Sequence, residues 1–271
     1  MRGKYWEIDP TQGLHEFANS FQLMYTERKA WDILDNFNSL VTNTINKAPK
    51  REGKFCLDRV KPTKLTHEED KWERAMHEKW GPKGSGEFVP FCKRIQTYQY
   101  PLRAYRTVSQ PAPNNTCWGE IDLLGIGTDF LPVPIELKKR EAAESPLRML
   151  VEVAAYGFAI REAWPKLRNH WIEAVSWFGG SPSQFPATLE RLTLAGVAPE
   201  EYWCQCLGNQ AGAFPSEAWP PFWKLVDALE ERGFDTHFVA INGSCGERAK
   251  RATITGAREL DRTLNPGGCQ S

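Results

Sequence analysis

Two stretches decide the fold: Gly119-Glu120-Ile121-Asp122-Leu123-Leu124-Gly125 and, shortly after, Ile135-Glu136-Leu137-Lys138-Lys139. In an extended strand, side chains alternate between the two faces. Glu120 and Asp122 then share one face, and Ile121 and Leu123 take the other. In the second run Val133, Ile135 and Leu137 share a face, while Glu136 and Lys138 point the opposite way. Both runs hide aliphatic groups on one side and show charge on the other. Gly125-Ile126-Gly127-Thr128-Asp129 between them is turn chemistry, so the two strands form a hairpin. Pro132 and Pro134 belong at a strand start or edge, which places the start of the second strand near Val133.

The hairpin brings Asp122 and Glu136 side by side. Carboxylate oxygens are hard ligands suited to Mg²⁺ or Mn²⁺. Such a metal polarises a phosphoryl oxygen and lowers the pKa of a bound water. Lys138, a compact point charge, would hold that water or offset charge that builds on the phosphate. The plainer reading is an amphipathic hairpin whose surface carboxylates pair with Lys138. The hydrophobic strand, turn, strand and well-marked helix around these residues weigh toward a site.

An Asp followed one strand later by Glu-x-Lys resembles the PD-(D/E)xK nuclease superfamily, over a core from about Trp72 to Trp164. Ile121 stands where these proteins usually have proline before the acidic residue. The resemblance implies that Asp122 and Glu136 are metal ligands, that Lys138 is the catalytic lysine, and that the Leu137 carbonyl is a further ligand. It also implies an acidic residue ahead of the first core strand. Glu87, after Gly84-Ser85-Gly86, sits at the expected distance, and Glu73 and Glu78 on the charged segment Thr66 to Trp80 are the alternatives. A glutamate at a helix start near a positive dipole end is the ordinary reading of Glu87.

The helix after Glu-x-Lys starts at Ser145, a good N-cap, with Pro146 at the first helical position. Leu147, Leu150, Val151, Ala154 and Phe158 form its core stripe, and Trp164-Pro165 is expected to end it. Glu152-Val153-Ala154-Ala155-Tyr156 is similar to the Gln-x-x-x-Tyr that lines the nucleic-acid groove in some superfamily members, with Glu in place of Gln. An Arg148–Glu152 ion pair one turn apart is the equal alternative. A strand is expected from Tyr98 through Arg106, and Arg103 and Arg106 on it are candidates for phosphate contact, against the ordinary role of a solvated face.

The chain has 271 residues, 41% hydrophobic and 25% charged, with 34 basic and 34 acidic residues. That composition is ordinary for a globular protein. A net charge of zero argues against coating nucleic acid by charge alone. Lys47 to Lys64 is the exception, with seven basic residues against two acidic ones, and reads either as an approach to phosphate or as a solvated linker. Seven scattered cysteines without a Cys-x-x-Cys pair, and five histidines without ligand spacing, do not make a zinc site. The cysteines are expected to be reduced thiols. With no long apolar run and no signal-peptide core at Met1–Glu7, the expected location is the cytoplasm, away from membranes.

Trp31, Leu34, Phe37, Val41 and Ile45 mark a helix within an N-terminal helical extension and basic linker, residues 1–66. A nuclease-like α/β domain spans 67–271. The half after Trp164 is aromatic-rich and reads as irregular until a helix from Phe222 to Arg232, stopped by Gly233. A strand from Phe234 to Ile241 and a short one at Thr253-Ile254-Thr255 follow. Stacked bases would exploit the aromatic rings, though core packing is their usual role. The expected fold is α/β, a mixed central β-sheet flanked by helices, with a restriction-endonuclease-like core. The expected activity is a Mg²⁺-dependent (or Mn²⁺-dependent) nuclease acting on nucleic acid, DNA in preference to RNA, with a protein partner or a second copy of the chain as possible company. Two other readings stay open. One is a non-catalytic nucleic-acid-binding or protein-interaction module that retains the fold. The other is a hydrolase using Glu120 and Glu136 as an acid/base pair.

Overall fold

The computed structural model describes residues 68–102, 119–140, 145–208, 214, 219–246 and 249–264. The expected N-terminal helical extension, the basic linker, Arg103 and Arg106 lie outside them.

Six strands form one sheet in chain order. Helix α1 (Glu68–Trp80) precedes β1 (Cys92–Leu102), β2 (Gly119–Gly127) and β3 (Pro132–Leu137). Helix α2 (Pro146–Val175) crosses to β4 (Leu192–Pro199), and α3 (Glu200–Leu207) and α4 (Trp219–Glu231) lead to β5 (Phe234–Ser244) and β6 (Thr253–Leu260). The β1–β2, β2–β3 and β5–β6 pairs are antiparallel, and β3–β4 and β4–β5 are parallel. The α/β class and the mixed sheet flanked by helices are therefore as the sequence predicts.

Each face of the sheet carries its own core. Trp72, Met76 and Trp80 of α1 pack with Leu123, Val133, Ile135, Leu137, Val197 and Val239. The larger core lies on the other face, where α2, α3 and α4 meet Leu194, Ala198, Phe238 and Ala240. Gly157 lets α2 lie close on β4 and β5. A Cβ there would stand 2.6 Å from Leu194 Cδ2 and 3.0 Å from Phe234 Cε1.

Four expectations need correction. First, α2 does not stop at Pro165 but runs through it to Val175. An internal proline costs a helix about 3 kcal/mol, but Trp164, Leu167, Trp171 and Val175 extend the buried stripe beyond it. The Trp164 and Trp171 indole N–H groups donate to the carbonyls of Pro186 and Phe130 at 2.9 and 2.8 Å. Second, the region after Trp164 contains β4, a central strand between two parallel neighbours. Its run Leu192-Thr-Leu-Ala-Gly-Val-Ala198 is nearly continuously apolar because both faces are covered. Third, Ile121 and Leu123 do not share a core: Ile121 joins the larger one and Leu123 the smaller. Facing them, Tyr98 pairs with Leu123 and Tyr100 with Ile121, and Gln99 between them has a left-handed backbone, φ 51°. This local kink in β1 disturbs the alternation beside Asp122. Fourth, Cys204 is disulfide-bonded, where reduced thiols were expected. Cys92, Cys206 and Cys245 are free.

Pro134 sits inside β3, pairing with Leu124 of β2. The β3–β4 ladder begins only at Ile135, so the missing N–H of Pro134 breaks no bond in it.

A carboxylate–lysine cluster at the end of β3

The charged residues of β3 do not meet solvent. Helix α2 covers them, and Glu136, Lys138 and Glu152 are all buried. Their arrangement follows from the two elements. Alternation on β3 puts Glu136 and Lys138 on the α2 side. Ser145 Oγ accepts from the Arg148 N–H at 3.3 Å, fixing the helix start, and Glu152 comes two turns into the helix.

Lys138 Nζ donates to Glu136 Oε1 at 2.7 Å and to Glu152 Oε2 at 2.6 Å. Arg148 Nε donates to the other Glu152 oxygen at 3.0 Å. Asp122 comes in from β2, where its Oδ2 accepts from the Leu137 N–H at 2.7 Å. The sequence-predicted trio Asp122, Glu136 and Lys138 is thus brought together, with Glu152 as a fourth member. The expected Arg148–Glu152 pair is also present. It does not exclude a role for Glu152, because the same carboxylate holds Lys138.

Asp122 keeps partial solvent access, but its carboxyl is hemmed in by protein. Burial pushes it up to about 8, with Glu69 and Glu152 adding to the rise against the pull of Lys138 and the Leu137 N–H. Burial and the neighbouring Asp122 charge also hold Glu136 well above the usual carboxylate range. Burial pushes Glu152 up too, but the Lys138 charge, the hydrogen bonds it receives and Arg148 prevail and hold it at about 2. The shifts of Glu136 and Glu152 are therefore opposed, up for the first and down for the second. Glu152 is thus the carboxylate most strongly held in its charged form, because Lys138 and Arg148 both reach it.

Glu136 Oε2 is buried without a hydrogen-bond partner among the described residues. A buried, unsatisfied acceptor costs about 1–3 kcal/mol. Among the described residues, no three His, Cys, Asp or Glu side chains are grouped to hold a metal together. The donor set fits a hard divalent cation nonetheless. Mg²⁺ needs only one or two protein carboxylates, with water and substrate phosphate completing its shell. Asp122 and Glu136 offer those two.

Glu87 is not part of this cluster. It is exposed, 3.4 Å from Lys93, beside the end of β1 where Cys92 faces Gly127. Gly127 lies five positions along β2 from Asp122, roughly 16 Å at strand rise. The acid that α1 directs here is Glu69, whose charge acts on Asp122. It lies in the first turn of α1, and Gln99, facing Asp122 across the β1–β2 ladder, donates to neighbouring Asp70 at 3.0 Å. Sequence reasoning passed over Glu69 because Glu68-Glu69-Asp70 resembles ordinary helix-start charge. Glu73, the alternative acid on α1, is buried. Glu78 is exposed and bonded to Arg74 at 3.0 Å. Tyr156 is buried in the larger core rather than set in an open groove. Most of the aromatic half is core as well; the Trp203 indole, for example, donates to the Val239 carbonyl at 3.1 Å. Among the described residues, Trp177 is the exposed large hydrophobic side chain.

No helix among the described residues is long and apolar enough to cross a membrane. Comparison with known proteins finds no matching family model, no similar curated protein and no matching solved structure.

Proposed function

We propose that this protein is a metal-dependent nuclease that hydrolyses phosphodiester bonds, with DNA preferred over RNA, on the plan of the PD-(D/E)xK superfamily. The observation that carries the reading is the cluster itself. Asp122 and Glu136, both raised in pKa by burial, lie beside a lysine bonded to Glu136 and Glu152, at the end of a hairpin followed by a crossover helix and a parallel strand.

In this reading Asp122 and Glu136 hold Mg²⁺ or Mn²⁺, with Glu69 the acid contributed by α1. When bound, the cation polarises a phosphoryl oxygen and makes a coordinated water acidic. Binding displaces the protons of Asp122 and Glu136, since ligands must be deprotonated. The rest is the work of the chain. Glu152, itself held by Arg148, fixes the Lys138 ammonium. Lys138 then stands ready, without reorganisation, to offset the negative charge that grows on the phosphate in the transition state. Burial strengthens that interaction relative to water.

A non-catalytic nucleic-acid-binding or protein-interaction module is the rival reading, and the zero net charge favours it. The deciding assay incubates labelled single- and double-stranded DNA, and RNA, with the protein in Mg²⁺, Mn²⁺ or EDTA. Asp122→Asn is the control, because it removes a ligand charge without enlarging or emptying the site. Metal-dependent cleavage lost in Asp122→Asn supports the nuclease. Binding of an oligonucleotide without metal-dependent turnover supports the module.

A further inference from the structure

The cluster is predominantly acidic, and a polyanionic substrate needs cations elsewhere to approach it. Lys138 is buried between two carboxylates, and Arg148 is 11% exposed and turned to Glu152. The cations that solvent reaches at this end of the sheet lie one step outward, where β3, β4 and β5 end in parallel. Arg140 follows β3 directly. Its side chain is 39% exposed, and its Nε, itself buried, lies 3.8 Å from Glu201 in the first turn of α3, just past β4. Its Nε also has no hydrogen-bond partner among the described residues. Lys71 reaches the same place from α1, with Nζ 3.4 Å from the Gly246 carbonyl, just past β5.

The chain between them registers both charges. Burial pushes the Cys245 thiol up, while Lys71 and Arg140 pull it down and Glu68 pushes it up. Lys71 and Arg140 therefore stand at the same end of the sheet, Arg140 beside the start of α3 past β4 and Lys71 beside Gly246 past β5. The Arg140–Glu201 contact is long, at 3.8 Å, and both side chains are partly exposed although the Arg140 Nε itself is buried; loose pairs between partly exposed side chains contribute about 0–1 kcal/mol. Exchanging Glu201 for a phosphate costs little, and a guanidinium fork matches phosphate oxygens bidentately.

We propose that Arg140 and Lys71 grip a backbone phosphate of the nucleic-acid strand, one flanking the phosphodiester that reacts at Asp122, Glu136 and Lys138. This rests on the nuclease reading and adds the strand's path to it: across the carboxyl ends of β3 and β5, under the first turn of α1.

The test uses the full chain and a fluorescein-labelled 20-nucleotide single strand in EDTA, where binding is read without turnover. Fluorescence anisotropy gives the dissociation constant from low to moderate salt. Arg140→Ala is expected to weaken binding several-fold and to flatten the slope of log K against log [salt] by about 0.7, the loss of one phosphate contact on a single strand. Arg140→Lys keeps most of the slope. Arg191→Ala, an exposed arginine before β4 at the opposite end of the strands, leaves it unchanged. Thermal melting of each variant confirms a folded protein. Wild-type slope and affinity in folded Arg140→Ala would overturn the grip while leaving the nuclease reading intact. Absence of oligonucleotide binding by the wild-type protein in EDTA would also overturn the grip, while the nuclease reading falls only if metal-dependent cleavage is absent as well.

Discussion

Replacing Asp122 with asparagine should stabilise this protein above neutral pH, although most polar substitutions at buried sites destabilise. Burial raises the Asp122 carboxyl from 3.8 to about 8. A carboxyl whose folded pKa is raised contributes fully below its unfolded value of 3.8. Its contribution then falls as pH rises from about 4 to about 8, because the unfolded chain releases the proton and the folded chain keeps it. A shift of about 4 units at 1.36 kcal/mol each gives a cost of about 5 kcal/mol at pH 8. Partial solvent access and local relaxation reduce that figure, so a gain of about 2 kcal/mol is the expectation. Asparagine has nearly the same shape and its carbonyl still accepts the Leu137 N–H. At 2–4 °C per kcal/mol for a chain of this size, Asp122→Asn should melt roughly 4–8 °C above wild type at pH 8 and level with it at pH 4. Circular-dichroism melts of both proteins in EDTA from pH 4 to 8 supply the comparison. A lower melting temperature for the variant at pH 8, or an equal offset at every pH, would refute the reasoning.

Three further outcomes are expected. Lys138→Met leaves Glu136 and Glu152 without their shared ammonium and should cost about 3 kcal/mol in urea unfolding; adding Glu152→Gln should recover part of the loss, as coupled sites do. Gly157→Ala gains up to about 1 kcal/mol of helix propensity, but its methyl group meets Leu194 and Phe234. Overpacking costs about 1–3 kcal/mol, so denaturant titration should show net destabilisation. Cys92 and Cys206, whose thiols burial pushes up to about 12, should resist iodoacetamide in the native protein at pH 8. Cys204 should alkylate only after reduction, both read by peptide mass spectrometry.

The parts of the site that sequence made legible were those set by local rules. Strand alternation put Glu136 and Lys138 on one face, glycine turn chemistry closed the hairpin against Asp122, and Ser145-Pro146 marked the start of α2. What escaped depended on tertiary context. β4 has no period to detect because both its faces are covered. The continuation of α2 through Pro165 is set by three tryptophan-sized or leucine contacts that no propensity scale weighs. The burial of Lys138 was invisible for the same reason, since the hairpin pattern alone describes a charged face open to water. Glu87 matched a spacing, but the β1–β2 register carries it to the far end of the hairpin, while Glu69, in the first turn of α1, is the acid whose charge reaches Asp122.

The most direct test of the account is Mn²⁺ binding followed by electron paramagnetic resonance at pH 6 and pH 8, with wild type beside Asp122→Ala. The account predicts one bound Mn²⁺ in wild type, tighter at pH 8 because Asp122 and Glu136 must give up protons to the ion, and little or none in the variant. A folded wild-type protein that binds no Mn²⁺ at either pH, or an Asp122→Ala protein that binds it equally well, would contradict the claim that these carboxyls form a metal centre.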